Sequence, residues 1–269
     1  MLYYKIEKEV RSRMLDINKA KDCFMNYVQQ FDLTNDKIHL KLIHTLEVVH
    51  TTEYLCLHEN ITGIEKDLAC LIALLHDIGR FEQIKRFNSF DDRNVDHATL
   101  GVQVLFDEGM IRQFIEDDQY DEVIRKAIVY HSLYKVPKGL DSFLLKQVLL
   151  IRDSDKLDNF RVKNIESIQT LFSISDEIFY SQRVSINILN DIENHQLILK
   201  ENRHNEVDMW VSYFAFVFDL NFKSSYQFIK ENDYIHRNME RLEFKEGLKE
   251  DMLFVEKTCQ SFIEEKCCN

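Results

Sequence analysis

The sequence predicts an all-α fold. Two observations carry that expectation: only 6 Gly and 1 Pro in 269 residues, and apolar positions that mostly recur at helical spacing. No Gly/Pro/Ser-rich linker marks a boundary, so the chain is expected as one compact unit. So few turn residues argue against an all-β chain, which needs many tight turns. With 45% hydrophobic and 30% charged residues the chain is well able to bury its own core. Its length allows one large domain or two smaller ones.

The elements follow in order. Asp36 to Cys56 is expected as a helix with an apolar stripe at Leu40, Ile43, Val48 and Leu55. Lys66 to Ile78 is expected as a second, stopped by Gly79. Phe81 to Asn94 is polar and irregular and reads as a loop. Another helix starts near His97, with Asp96 or Asn94 as cap. Helices are also expected over Asp121 to Leu133 and Asp141 to Asn159, separated by Pro137 and Gly139. Beyond Asn159 lie further helical stretches, an aromatic run from Tyr213 to Phe218 read as core, and an amphipathic helix from Glu250 onward.

Composition excludes several functions. The balance of 34 basic and 46 acidic residues gives a net charge of −12. Such a chain repels long polyanions, so neither long nucleic acid nor an anionic membrane is an expected partner. The longest apolar runs, Trp210 to Phe218 and Leu68 to Leu75, are too short to span a bilayer. The opening MLYYKIEKEVRSR lacks the apolar stretch of an export signal. The six cysteines, Cys23, Cys56, Cys70, Cys259, Cys267 and Cys268, form no CxxC pair. The expectation is a cytoplasmic protein with reduced thiols.

Polar residues sit where a core stripe should be. His44 lies between Leu40 and Val48, His76 follows Ile72 and Ala73, and His131 follows Ala127 and Ile128. Asp155 follows Val148 and Ile151, and His97 heads a face with Gly101, Val104 and Leu105. One buried histidine is usually a satisfied core residue. Four, together with Asp77 and Asp155, suggest a metal site, because buried carboxylates need a partner and imidazole with carboxylate is a common ligand set.

The segment His76-Asp77-Ile78-Gly79-Arg80, with His44 in HTLEVV upstream and Asp155 in RDSDKLD downstream, resembles the HD superfamily of metal-dependent phosphohydrolases. The resemblance covers roughly residues 30–160. It implies a helical bundle at 1–160 with a C-terminal helical region, 161–269, packed on it. It also implies that His44, His76, Asp77 and Asp155 hold a divalent transition metal (Mn, Fe, Co, Ni or Zn). His97 in DHATLG and His131 in VYHSLYKVP resemble the extra ligands of binuclear members, including HD-GYP phosphodiesterases and diiron dinucleoside-polyphosphate hydrolases. There Asp77 bridges two ions and His97 and His131 hold the second. In a site with one ion, His97 and His131 instead contact phosphate or move protons. Arg80 stands where HD-GYP proteins have Lys, and no GYP triplet follows, so cyclic di-GMP is not the favoured substrate.

The implied chemistry is hydrolysis of a small phosphorylated compound, a nucleotide being favoured. Asp77, Arg80 and Lys156 are the expected catalytic residues. Lys85, Arg86 and Arg93 populate the following segment, where solvated surface is the plainer reading for Lys85 and Arg86. Asp96 and Asp158 flank ligands and either orient them or, for Asp96, cap a helix. His39, His50, His58, His195, His204 and His236 join no ordered set. Rival readings are a non-catalytic nucleotide- or metal-binding sensor, an HD-type diiron oxygenase, and a plain helical scaffold.

Overall fold

The protein is described by a computed structural model covering residues 15–88, 92 and 95–268. The opening segment, Arg93 and Asn94 lie outside the described residues. Among those described there is no strand. The chain divides into two compact units, residues 1–152 and 153–269.

The first unit is built around α3. In chain order its helices are α1 (Ile17–Val28), α2 (Asp36–His58), α3 (Ile64–Leu75), α4 (Ile78–Phe87), α5 (His97–Val102) and α6 (Asp121–His131). A π-helical turn, Gln103–Asp107, continues α5. Every residue from Leu68 to Leu75 is buried. A helix apolar on all sides has no solvent face to keep, so it takes the centre. Helices α1, α2 and α6 pack around it. Its five buried Leu and Ile side chains from Leu68 onward each stabilise the fold by about 1.5–3 kcal/mol relative to exposure. The central position also delivers the next two residues, His76 and Asp77, into the interior.

The outer helices are fixed by caps and one ionic chain. The Asp16 carboxylate accepts from the Asn18 and Lys19 amides, and the Asn35 side chain from Lys37 and Ile38. The buried Glu82 of α4 accepts from the Tyr27 hydroxyl of α1 at 2.9 Å and from Arg86 Nε at 2.7 Å. Arg86 also forks onto Glu108. Arg86 is therefore half-buried in a network, while Lys85 is largely solvated as expected.

Three local expectations are corrected. On α2 the deeply buried positions are Ile38 and Leu42, whereas Leu40 and Ile43 are only half-buried. Helix α3 stops before His76, and Gly79 does not end it: Gly79 is the second residue of α4. The stretch from Phe81 to Phe87 is helical, not loop, because Phe81, Glu82 and Gln83 supply a buried face. Gly79 is required by contact rather than by backbone angle. A Cβ there would collide with the His97 carbonyl oxygen and lie 2.7 Å from the Gly101 nitrogen. Gly101 answers from α5, where a Cβ would meet the Gly79 nitrogen at 3.3 Å. The two glycines let α4 and α5 touch backbone to backbone.

Helix α7 (Ser142–Ile165) is continuous and runs through the division between the units. The second unit holds the rest of α7, then α8 (Ile168–Phe172), α9 (Asp176–Ser181), α10 (Ile186–Glu193), α11 (Glu206–Phe214), α12 (Lys223–Glu231), α13 (Tyr234–Glu240) and α14 (Leu248–Cys268). Helix α14 buries Leu248, Met252, Val255, Cys259 and Ile263, one stripe at helical spacing, against α10 to α13. The aromatic run is core: Trp210, Phe214 and Val217 are buried. Buried Asp153 accepts from the Asn221 and Phe222 amides and the Ser225 hydroxyl, tying α7 to the start of α12. No helix among the described residues is long and apolar enough to cross a membrane.

Gly79→Ala should destabilise the protein by about 3 kcal/mol, since the clash is with backbone that cannot rotate away. Urea unfolding checks this. A midpoint within error of the wild type would show that α4 and α5 do not meet as described.

Candidate metal centre

Four imidazoles and one carboxylate converge where α3 ends. His44 projects from the middle of α2, His76 follows α3, Asp77 precedes α4, His97 opens α5 and His131 closes α6. All five are at most 4% exposed. Successive rings lie close, His44 to His76 at 5.5 Å, His76 to His131 at 5.2 Å and His131 to His97 at 5.3 Å between centroids.

Asp77 divides its two oxygens between them. Oδ2 lies 3.6 Å from both His44 Nε2 and His76 Nε2. Oδ1 lies 3.5 Å from His97 Nε2. His44, His76 and Asp77 form one group whose potential ligand atoms are all within 4.8 Å of one another, and Asp77, His97 and His131 form a second.

The tautomers of three histidines follow from their outer bonds. His76 Nδ1 faces the Ala73 carbonyl at 2.7 Å, and His131 Nδ1 faces the Ile128 carbonyl at 2.5 Å. Both use the carbonyl three residues back, a device open to a histidine at a helix C-terminus. His97 Nδ1 faces Asp92 Oδ1 at 3.0 Å. These acceptors accept only, so Nδ1 carries a proton and each Nε2 is the ring atom turned inward, a lone-pair donor in the neutral ring. The Nε2 atoms of His97 and His131 are 3.4 Å apart. At that separation the two atoms can share a proton or, with both rings neutral, a metal ion. The donor set therefore fits a divalent transition ion. The carbonyl ends of α3 and α6 point their negative dipole ends to the same place.

Charged neighbours complete the centre. The Lys41 ammonium, on α2, lies 2.7 Å from Asp77 Oδ2. Arg80 places Nε 3.9 Å from Asp77 Oδ1 and forks its other two nitrogens onto Asp92 at 2.7 and 3.0 Å. Gln83 also donates to Asp92. Burial works to raise the Asp77 carboxyl, but Lys41, His76, His97 and Arg80 outweigh it and hold it well below its ordinary value. Burial of Asp92 is likewise outweighed, by the hydrogen bond from His97 and by Arg80.

His44, His76, Asp77, His97 and His131 are thus brought together, with Arg80 beside them. Asp155 and Lys156 lie in the second unit; the role expected of Asp155 stands on the resemblance, and that of Lys156 on its place directly after Asp155. There Asp155 accepts from Asn159 of its own helix, and Lys156 pairs with Asp219 at 3.0 Å. Asp158 pairs with Arg161. Of the two readings of Asp96, the cap holds: its carboxylate takes the Thr99 amide and stays 4.0 Å from His97, whose partner is Asp92. Sequence reasoning missed Lys41, Asp92 and Arg152. Buried Arg152 donates through one nitrogen to the carbonyls of Tyr130, His131 and Leu133, fixing the turn that carries His131. Spacing signalled Lys41, one helical turn before His44; nothing signalled Asp92.

Fold and donor set together describe a helical domain whose buried His and Asp side chains fit a metal ion. Residues 42–160 match the family model of the HD domain. Proteins with this domain are in general metal-dependent hydrolases. No curated protein and no solved structure matches the chain.

Asp92→Ala should weaken metal binding about 10- to 100-fold, because His97 loses the bond that sets its tautomer. A competitive titration against a chelator measures it. Wild-type affinity in the variant would remove Asp92 from the site.

Proposed function

We propose that the protein is a metal-dependent phosphohydrolase that cleaves a phosphoester of a nucleotide or other small phosphorylated compound. What supports this reading is the placement of Asp77, whose two oxygens serve two groups of inward-turned imidazoles. His44 and His76 with Asp77 would hold one ion, and His97 and His131 with Asp77 a second. Asp155 enters this reading as a ligand on the resemblance alone, and Lys156 as a catalytic cation on its place directly after Asp155.

A divalent ion in such a set supplies a nucleophile at neutral pH and a Lewis acid for the phosphoryl oxygens. The chain's own residues do the rest. The Nδ1 bonds of His76, His97 and His131 keep the Nε2 atoms aimed inward without cost at each turnover. Arg80 acts through Asp92, whose carboxylate it holds against His97, which makes it a positioning residue. The buried walls of α2, α3 and α6 keep bulk water from the carboxylate and raise the strength of each charge interaction there.

The test is elemental analysis of protein purified without chelator, followed by turnover on p-nitrophenyl phosphate, bis(p-nitrophenyl) phosphate, nucleoside phosphates and dinucleoside polyphosphates. One or two transition ions per chain are expected, with hydrolysis of at least one member. Asp77→Ala should lower turnover more than about a hundredfold while keeping the helical circular dichroism. His97→Ala and His131→Ala should each bring metal toward one ion per chain. Near-normal turnover by Asp77→Ala, or no metal retained or gained with Mn, Fe, Co, Ni or Zn, would refute the reading.

A further inference from the structure

The centre contains one cation that neither the ligand set nor its orientation requires. Lys41 leaves α2 one turn before His44, so the two side chains share a helix face. Its ammonium contacts Asp77 Oδ2, the oxygen that also faces His44 and His76. The Lys41 side chain is 18% exposed and that of Asp77 4%. Of this pair, the lysine side chain is the one more open to solvent, and hence to a ligand arriving from solvent.

The charges nearby are matched in pairs. Arg80 is met by Asp92, through two nitrogens at once, and Lys41 by Asp77. His76, His97 and His131 each bond outward through Nδ1 and present Nε2 to the centre. An ion of charge two taken by Asp77 ends this balance. The carboxylate's charge is then shared with the ion, and Lys41 is left beside a net positive centre. Two cations on one carboxylate oxygen repel strongly where water is scarce. Arg80 stays matched, because Asp92 does not change partners. Lys41 is the cation whose partner the ion claims, and an anionic oxygen is what relieves it.

We propose that Lys41 is a substrate-binding residue, which exchanges Asp77 for an anionic phosphoryl oxygen of the ligand once Asp77 serves an ion. This rests on the metal-dependent reading above and adds to it the group that receives the substrate's charge. The competing account is a purely structural ion pair. It requires that loss of Lys41 reduce metal retention, with no separate effect on anions.

The experiment is a calorimetric titration of inorganic phosphate into metal-loaded wild type, Lys41→Met, Lys41→Gln and Lys41→Arg. Metal per chain is measured on the same samples. Met keeps the aliphatic stem, Gln keeps a polar tip, and Arg keeps the charge, so a folding defect in one variant leaves the others to decide. Phosphate affinity should fall about tenfold or more in the Met and Gln variants and be largely kept in the Arg variant, with equal metal in all four. On any hydrolysed substrate of the panel, KM should rise more than kcat falls. Unchanged phosphate affinity in the Met and Gln variants overturns the proposal, and so does loss of metal from them. Wild type that holds metal but binds no phosphate removes the phosphoryl reading along with Lys41's role. Wild type that holds no metal removes the metal reading itself.

Discussion

A carboxylate buried at the end of the most apolar helix is the constraint on which the first unit depends. Asp77 follows α3, whose last turns touch no water, so its charge cannot be left to solvent. Everything around it compensates. Four imidazoles and two cations come from α2, α4, α5 and α6 and from the end of α3 to one point. Each helix is thereby fixed by polar contact at this point and along its length by apolar packing. A misplaced helix would lose both at once.

The same economy explains why so little sequence is needed to aim the ligands. His76 and His131 orient themselves on carbonyls of their own helices, three residues back. His97 has no preceding helical carbonyl, because it opens its helix, and must borrow Asp92. Asp92 in turn needs Arg80 and Gln83. A helix-opening histidine is thus the ligand that recruits outside help.

This difference marks what was legible in the sequence. The all-α class was readable from scarce turn residues and helical spacing. The five converging side chains were readable from polar residues on apolar faces, together with an ordered motif. Local device and periodicity are written in neighbouring positions. Asp92 was not readable, since its role depends on how α4 and α5 approach one another. Nor was the true place of Gly79. A glycine after an apolar run reads as a helix stop, and only the contact with the His97 carbonyl shows that packing chose it. The loop assigned to Phe81–Asn94 failed for a similar reason: Glu82 is charged, yet Tyr27 and Arg86 satisfy it inside. Lys41 stood in plain view on the helix face but carries no signal apart from its distance to His44.

Arg152, the last residue of the first unit, braces the turn after His131 from within a helix that continues into the second. Domains exchanged during evolution are usually joined through loops, where a splice disturbs little. Here the join is a helical turn, and the residue on its near side sets the backbone behind a ligand. A change that shifted the helical phase of α7 at Arg152 would turn its guanidinium away from the carbonyls of Tyr130, His131 and Leu133 and leave that turn without its brace.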